Sequence, residues 1–361
     1  MKKIVTILGA RPQFVKAAVL SRIISSYNEI KEVIVHTGQH FDTNMSEVFF
    51  KEMNIPTPAY NLNINSLHHG AMTGMMLEQI EKILLTEKPD AVVVFGDTNS
   101  TLAGALAAKK LHIKVVHIEA GLRSHNMAMP EEVNRIITDR ISNLLCCPTD
   151  RAVYNLEIEG FNKLVLQVDK TGDIMKDAVA YYSAMSSKKA TVISNNNLQG
   201  KQFVLATIHR QENTDNPKAL ISIFKALDEI HKEQIVILPL HPRTKKVLKN
   251  YELQSNIKFI DPVGYFDMLE LLKNCTLVIT DSGGLQKEAF FNKKHCVIVR
   301  EETEWVELVD NGFAKITGSN QSKIVNAYHE FKAAKTNFNV NLYGNNVGEN
   351  IYKSIVKLVI D

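Results

Sequence analysis

Short apolar runs alternate with longer segments of helical periodicity along the whole chain, and this alternation sets the first expectation. Residues 3–8, 33–36, 91–95, 115–118 and 144–147 are short, mainly apolar stretches, most of them rich in β-branched side chains. Such runs fit parallel strands covered by helices on both faces. Between them, residues 72–85 and 101–111 repeat their apolar positions at helical spacing. The pattern predicts a doubly wound sheet. A polar, charge-mixed stretch, residues 186–201, precedes a fresh run at 203–207, and the alternation resumes at 235–239, 257–260, 277–280 and 296–299. The fold class expected is therefore α/β, with two Rossmann-like doubly wound domains. The run LVLQVDKTGD reads as a strand leaving the first domain into a glycine-containing hinge. Residues 1–170 and 171–340 are expected to form the two domains, and residues 341–361, with a final helix over 350–358, to pack back on the first.

Length supports this division, because 361 residues would make an unusually large single core. A net charge of +3 and the lack of any block of like charges argue against a nucleic-acid or membrane-surface binder. No apolar stretch approaches the roughly 18 residues of a membrane span. The opening MKKIVTILGARPQF superficially resembles a secretory signal, but its apolar run is short and reads better as a first strand entering a glycine turn. The protein is thus expected in the cytoplasm. Cys146, Cys147, Cys275 and Cys296 lack zinc-ligand spacing and read as buried, reduced thiols.

In open parallel sheets, ligands bind beyond the carboxyl ends of the strands, so the residues at those ends carry the chemistry. The first strand runs into Gly9, Ala10, Arg11, Pro12 and Gln13, with Lys16 beyond: a tight turn, a helix N-terminus and two cations, suited to an anion. The third run ends in Gly96, Asp97, Thr98 and Asn99, where the Thr98 hydroxyl and Asn99 amide are able to cap the next helix and Asp97 either caps it or serves a site. Glu119 prolongs the fourth, and a carboxylate there is expensive unless paired or used. Glu131 and Glu132 follow Pro130 and alone would read as a solvated helix start. Clustered at successive strand ends of one sheet, these carboxylates and arginines favour a site. The second half offers His209 and Arg210, then His241, then Asp281, Ser282, Gly283, Gly284, Leu285, Gln286, Lys287 and Glu288. There a serine and paired glycines open a helix whose free N–H groups suit a diphosphate, with Glu288 in reach of ribose hydroxyls.

In this order, GARPQFVKAA, HTGQHFD, GDTNSTLAGALAA, HIEAGLRS, MPEEVNR, HRQEN, DSGGLQKEA, REETEWVE and YGNN resemble the non-hydrolysing UDP-N-acetylglucosamine 2-epimerase family almost end to end. The resemblance implies GT-B architecture, two domains facing across a cleft, and an enzyme working on a UDP-linked 2-acetamido sugar without nicotinamide, other cofactor or metal. It implies that Arg11 and Lys16 contact diphosphate and sugar, and that Asp97, Glu119 and Glu131 are the acid/base carboxylates. His209 would lie over the reacting pyranose, and Ser282, Gly283, Gly284 and Glu288 would hold UDP. Arg210, His241 and Gln286 would line the walls. The implied chemistry is anti elimination of UDP to a 2-acetamidoglucal and re-addition after protonation of the opposite face. A homodimer serving bacterial surface-polysaccharide synthesis is expected by the same analogy.

Two departures bear on regulation and substrate. A Gln-His-x-Gln segment helps some members bind an allosteric substrate molecule, but Gln39 and His40 are followed here by Asp42, and Gln211 replaces an arginine of His-Arg-Arg-Glu. Residues 302–307, ETEWVE, differ from the Thr-Glu-Arg-Pro-Glu of many members; with HFDTNMSEVFF and HGAMTG they lean to the branch acting on UDP-2,3-diacetamido-2,3-dideoxyglucuronate. A hydrolysing epimerase, a GT-B glycosyltransferase and a non-catalytic UDP-sugar sensor are the alternatives.

Overall fold

In the computed structural model, which describes residues 1–39 and 55–360, the chain divides into two compact units, Met1–Ala178 with Asn341–Asp361, and Val179–Val340. Each is built on one wholly parallel sheet. The first unit contains β1 (Lys2–Leu8), β2 (Ile30–His36), β3 (Tyr60–Asn61), β4 (Ala91–Phe95), β5 (Lys114–Ile118), β6 (Leu144–Cys147) and β7 (Gln167–Lys170) in the order 3-2-1-4-5-6-7. The second contains β8 (Phe203–Thr207), β9 (Ile235–Pro239), β10 (Lys258–Ile260), β11 (Leu277–Thr280), β12 (His295–Ile298) and β13 (Ala314–Ile316) in the order 10-9-8-11-12-13. Both are doubly wound α/β units, the modules of the GT-B architecture. Each order reverses once, between β1 and β4 and between β8 and β11. At such a switch point the flanking connections leave in opposite directions and open a crevice.

Burial explains the strands. All five residues of β4 are buried, and Val92, Val93 and Val94 are wholly so; each contributes about 1.5–3 kcal/mol relative to exposure. Helices cover both faces closely. Gly104 of the helix Asn99–Lys110 lies against β1, where a Cβ would sit 3.0 Å from Ile7 Cγ1. The C-terminal helix Val347–Ile360 lies along Arg11–Ser26, with Gly348 so near that a Cβ would meet Ile23 Cδ1 at 2.4 Å. Tyr352 Oη donates to Glu29 (2.5 Å) and Gly348 N–H to Asp177 (2.9 Å), tying that helix to the first unit.

Strand register sets up the sites. Leu8 pairs with His36, Ile7 with Val94, Phe95 with Ile118, and Ile118 with Cys146. The residues that follow, Gly9, Thr37, Gly96 and Glu119, therefore emerge along one edge. In the second sheet Thr280 pairs with both Thr207 and Ile298, which brings His209, Ser282 and Arg300 out along the corresponding edge.

Candidate active site

At the β1/β4 switch point Gly9 leaves no room for a side chain, since a Cβ would lie 2.0 Å from Ser100 Oγ and 2.5 Å from Thr37 Oγ1. Gln13 fastens the turn. Its amide oxygen accepts from the N–H groups of Gly9 (2.7 Å) and Ala10 (3.0 Å), while its nitrogen reaches the Phe95 carbonyl (2.7 Å) and the hydroxyls of Thr98 and Thr101 (3.0 Å each). Arg11 then opens the helix that carries Lys16. Gln39 accepts from Ser100 N–H (3.0 Å) and Oγ (2.7 Å) at the start of the helix Asn99–Lys110; His40 and Asp42 lie outside the described residues.

Lys16 Nζ is ion-paired with the Glu119 carboxylate, and the two side chains are only 9% and 10% exposed. Glu119 has φ +72, a left-handed conformation that costs a non-glycine residue about 1–2 kcal/mol and that clusters at functional positions. Its carboxylate comes within 3.3 Å of where a Cβ on Gly96 would lie, so that glycine also admits it. Asp97 is not the helix cap: Thr98 is, its hydroxyl accepting from Thr101 N–H (3.3 Å). The Asp97 carboxylate instead pairs with Arg135, remains 31% exposed, and its carbonyl accepts from Asn134 Nδ2 (2.9 Å).

The adjacent glutamates of helix Pro130–Ile141 separate completely. Glu131 is exposed on its first turn, four residues before Arg135. Glu132 is buried and accepts from Ser124 N–H and Oγ (3.0 Å each), His125 N–H (2.9 Å) and Arg135 (2.8 Å). The structure thus brings Lys16 to Glu119 and Arg135 to Asp97, and leaves Glu131 on the surface of the same unit.

Next to these groups lies a buried chain of polar side chains of which sequence had pointed only to Arg123, as a further arginine at the fourth strand end. His117 Nδ1 bonds to Asp139 (2.7 Å) and Nε2 to the Gly96 carbonyl (2.7 Å); Asp139 also accepts from Arg123 (2.7 Å) and Gly121 N–H (3.1 Å). Arg123 in turn holds Glu159 through two bonds of 2.7 and 2.8 Å. Burial alone would raise the Asp139 carboxyl, but His117 and Arg123 outweigh it and hold it below its usual range.

In the second unit, fully buried Asp281 accepts from the N–H groups of His209 (3.0 Å) and Arg210 (3.0 Å) and from Asn213 (3.1 Å), and lies 3.3 Å from His209 Nδ1. The His241 ring is 5.6 Å from that of His209, and its Nδ1 accepts from Arg243 N–H (3.2 Å). Ser282 precedes helix Gly283–Phe291, and its N–H donates to Thr280 (2.9 Å). A Cβ on Gly284 would meet nothing within 4 Å, and one on Gly283 only Glu304, Trp305 and Arg210 at 3.5–3.9 Å. The start of this helix, whose first N–H groups lack intrahelical partners, thus has open space beside Gly284 and an arginine near Gly283. Gln286 is wholly buried, and its amide oxygen accepts from Thr303 Oγ1 (2.6 Å). Glu288 is buried on the same helix; burial, and after it this carboxylate, push the Tyr265 phenol up. Arg300 grips Glu304 through bonds of 3.0 and 3.1 Å, and Lys287 Nζ lies 3.7 Å from the Trp305 ring centroid.

The four cysteines are free and buried, and burial pushes the Cys275 thiol up to about 12. Among the described residues no cluster of three or more His, Cys, Asp or Glu side chains is placed to hold a metal, and no helix is long and apolar enough to cross a membrane. Sequence reasoning assigned no individual role to Gln13, His117, Asp139, Asp281 or Glu304. The available signal was polarity out of place, as with a histidine inside the apolar run of β5.

Comparison with known proteins places these motifs. The sequence model of the UDP-N-acetylglucosamine 2-epimerase family matches residues 22–356. A UDP-2,3-diacetamido-2,3-dideoxy-D-glucuronate 2-epimerase of Pseudomonas aeruginosa is 52% identical over 90% of each chain, and a UDP-N-acetylglucosamine 2-epimerase homolog of Methanococcus maripaludis is 49% identical over 93% of this chain and 94% of its own. The crystal structure of the Methanocaldococcus jannaschii UDP-GlcNAc 2-epimerase in complex with UDP-GlcNAc and UDP superposes with a TM-score of 0.90 at 42% identity, covering 99% of this chain and 100% of that one.

Proposed function

Because the chain belongs to the UDP-N-acetylglucosamine 2-epimerase family, we propose that it inverts C2 of a UDP-linked 2-acetamido sugar by elimination and re-addition of UDP. The observation that carries this reading is the β1/β4 switch point, where Lys16, Glu119, Asp97 and Arg135 form two ion pairs at one sheet edge.

The C2 hydrogen of such a sugar is too weakly acidic to be removed alone. The C1–O bond to UDP breaks as a carboxylate takes the C2 proton, the C–H electron pair forms the C1–C2 double bond, and UDP departs with the electrons of the C–O bond. Positive charge developing on the ring favours surrounding carboxylates, a task for Asp97, Glu119 and the exposed Glu131. Arg11 and Lys16 offset charge on the leaving group. Protonation of C2 on the opposite face and return of UDP to C1 give the epimer. In the second unit, Ser282, Gly283 and Gly284 hold the diphosphate at a helix N-terminus, Glu288 holds the ribose, and His209, Arg210, His241 and Gln286 complete the surroundings. No cofactor or metal enters these steps.

Two observations favour UDP-2,3-diacetamido-2,3-dideoxyglucuronate over UDP-GlcNAc: the 52% identity to the Pseudomonas enzyme, and Trp305 and Val306 where many members carry Arg-Pro. By family analogy the protein works in the cytoplasm as a homodimer and supplies surface-polysaccharide synthesis such as O-antigen. NMR of purified protein with each UDP-sugar tests the reading. The manno epimer of the diacetamido sugar is expected. Turnover of UDP-GlcNAc alone would overturn the branch, and inertness to both with UDP still bound would shift the assignment to a transferase or a sensor.

A further inference from the structure

We infer that His117 is a positioning residue for the reaction, setting Asp97 and Glu119 through the Gly96 carbonyl and the Asp139 carboxylate. This rests on the epimerase reading above.

His117 and Asp139 have wholly buried side chains. The ring lies between two acceptors, the Gly96 carbonyl at Nε2 and the Asp139 carboxylate at Nδ1, each at 2.7 Å. Both ring nitrogens are therefore committed to partners. The buried Asp139 carboxylate is shared between His117 and Arg123, and Arg123 in turn holds Glu159, so the chain is cross-linked at every step.

The network ends at the backbone of both carboxylates. Gly96 has φ +63, and its carbonyl belongs to the peptide that leads into Asp97; His117 holds that carbonyl while Ile118 O accepts from Gly96 N–H (2.9 Å). On the other side, Glu119 N–H and Ala120 N–H both bond to Cys146 O (3.1 Å), and Asp139 takes Gly121 N–H (3.1 Å) two residues beyond Glu119. The left-handed Glu119 is thus pinned from before and after. One ring fixes the turn bearing Asp97, and its carboxylate partner fixes the turn bearing Glu119. Neither His117 nor Asp139 need touch the sugar.

The test uses two isosteres. In His117→Gln the amide nitrogen takes the place of Nε2 and keeps the Gly96 bond; in His117→Asn it takes the place of Nδ1 and keeps only the Asp139 bond. Wild-type turnover of the two UDP-sugars is measured first, and its absence would sink the epimerase reading itself. With an active wild type, kcat of His117→Asn is expected to fall about 10²-fold, the scale of a misplacement near 1 Å, with His117→Gln substantially recovered and KM little changed in both. Losses equal in the two variants and tracking their unfolding midpoints, or full activity in both, would overturn the positioning role.

Discussion

Gly121→Ala changes one hydrogen to a methyl group where the account predicts a large effect on both stability and turnover. Gly121 has φ +78, and a Cβ there would lie 2.4 Å from the Ala152 carbonyl oxygen, in the backbone of helix Asp150–Ile158. The left-handed backbone costs alanine about 1–2 kcal/mol. Relieving the contact requires the loop or the helix to give by roughly 1 Å, an overpacking cost of about 1–3 kcal/mol. The residue is also held at both ends, by Asp139 on its N–H and Asn155 Nδ2 on its carbonyl (3.0 Å), so relaxation weakens those bonds. The sum, about 2–5 kcal/mol, is to be read from urea denaturation followed by far-UV circular dichroism. Fluorescence of Trp305, the chain's one tryptophan, reports on the second unit and serves as a control. The shift displaces Glu119, two residues away, so turnover should fall about 10²-fold while UDP affinity stays near wild type. A destabilisation under about 0.5 kcal/mol with normal turnover would refute the reasoning.

Other substitutions separate chemistry from binding and folding. Asp97→Asn and Glu119→Gln should retain UDP binding by calorimetry and lose about 10²–10⁴-fold in kcat; full activity in either removes that carboxylate from the scheme. Gly284→Ala, whose Cβ enters open space, should fold normally yet weaken UDP about tenfold through interference at the helix N-terminus, and unchanged affinity would move the diphosphate elsewhere. Asp139→Asn should cost about 3–5 kcal/mol at pH 7, the scale of a broken buried pair. Because the folded carboxyl lies below its usual value, its stabilisation is present above the unfolded pKa near 4 and is lost as pH falls through the folded value. The gap between wild type and Asp139→Asn should therefore narrow below about pH 4, and a gap constant down to pH 2 would contradict the ionised network.

The central strands were legible because their chemistry is local. β4, β6, β8, β9 and β11 coincide with the apolar runs at 91–95, 144–147, 203–207, 235–239 and 277–280, each buried enough that nearly every position had to be apolar. β3 and β13, of two and three residues, were not anticipated: each is an edge strand with one neighbour, and Tyr60–Asn61 presents no apolar run. β12 begins at His295, one residue before the run expected, because the ladder to β11 starts with Leu277 paired to His295, whose ring is accommodated by stacking on Phe331 at 4.3 Å, a contact far along the chain.

The same limit governs the sites. Strand ends could be read from sequence, and with them Arg11, Asp97, Glu119, His209 and Ser282. Sequence left open whether Thr98 or Asp97 caps the helix, and it did not reveal that neighbouring glutamates diverge, Glu132 into a buried network and Glu131 into solvent. Successive helical residues point about 100° apart, and which one faces inward depends on Ser124 and His125. His117 meets Asp139 across 22 residues, and Gln13 meets Phe95 across 82; no short motif encodes such pairs.

The most direct test of elimination and re-addition at C2 is the fate of the C2 hydrogen. Purified protein without added cofactor or metal, incubated with its UDP-sugar in deuterium oxide, should yield manno product carrying deuterium at C2. Product that keeps the original hydrogen would contradict the mechanism and point to an internal or hydride transfer.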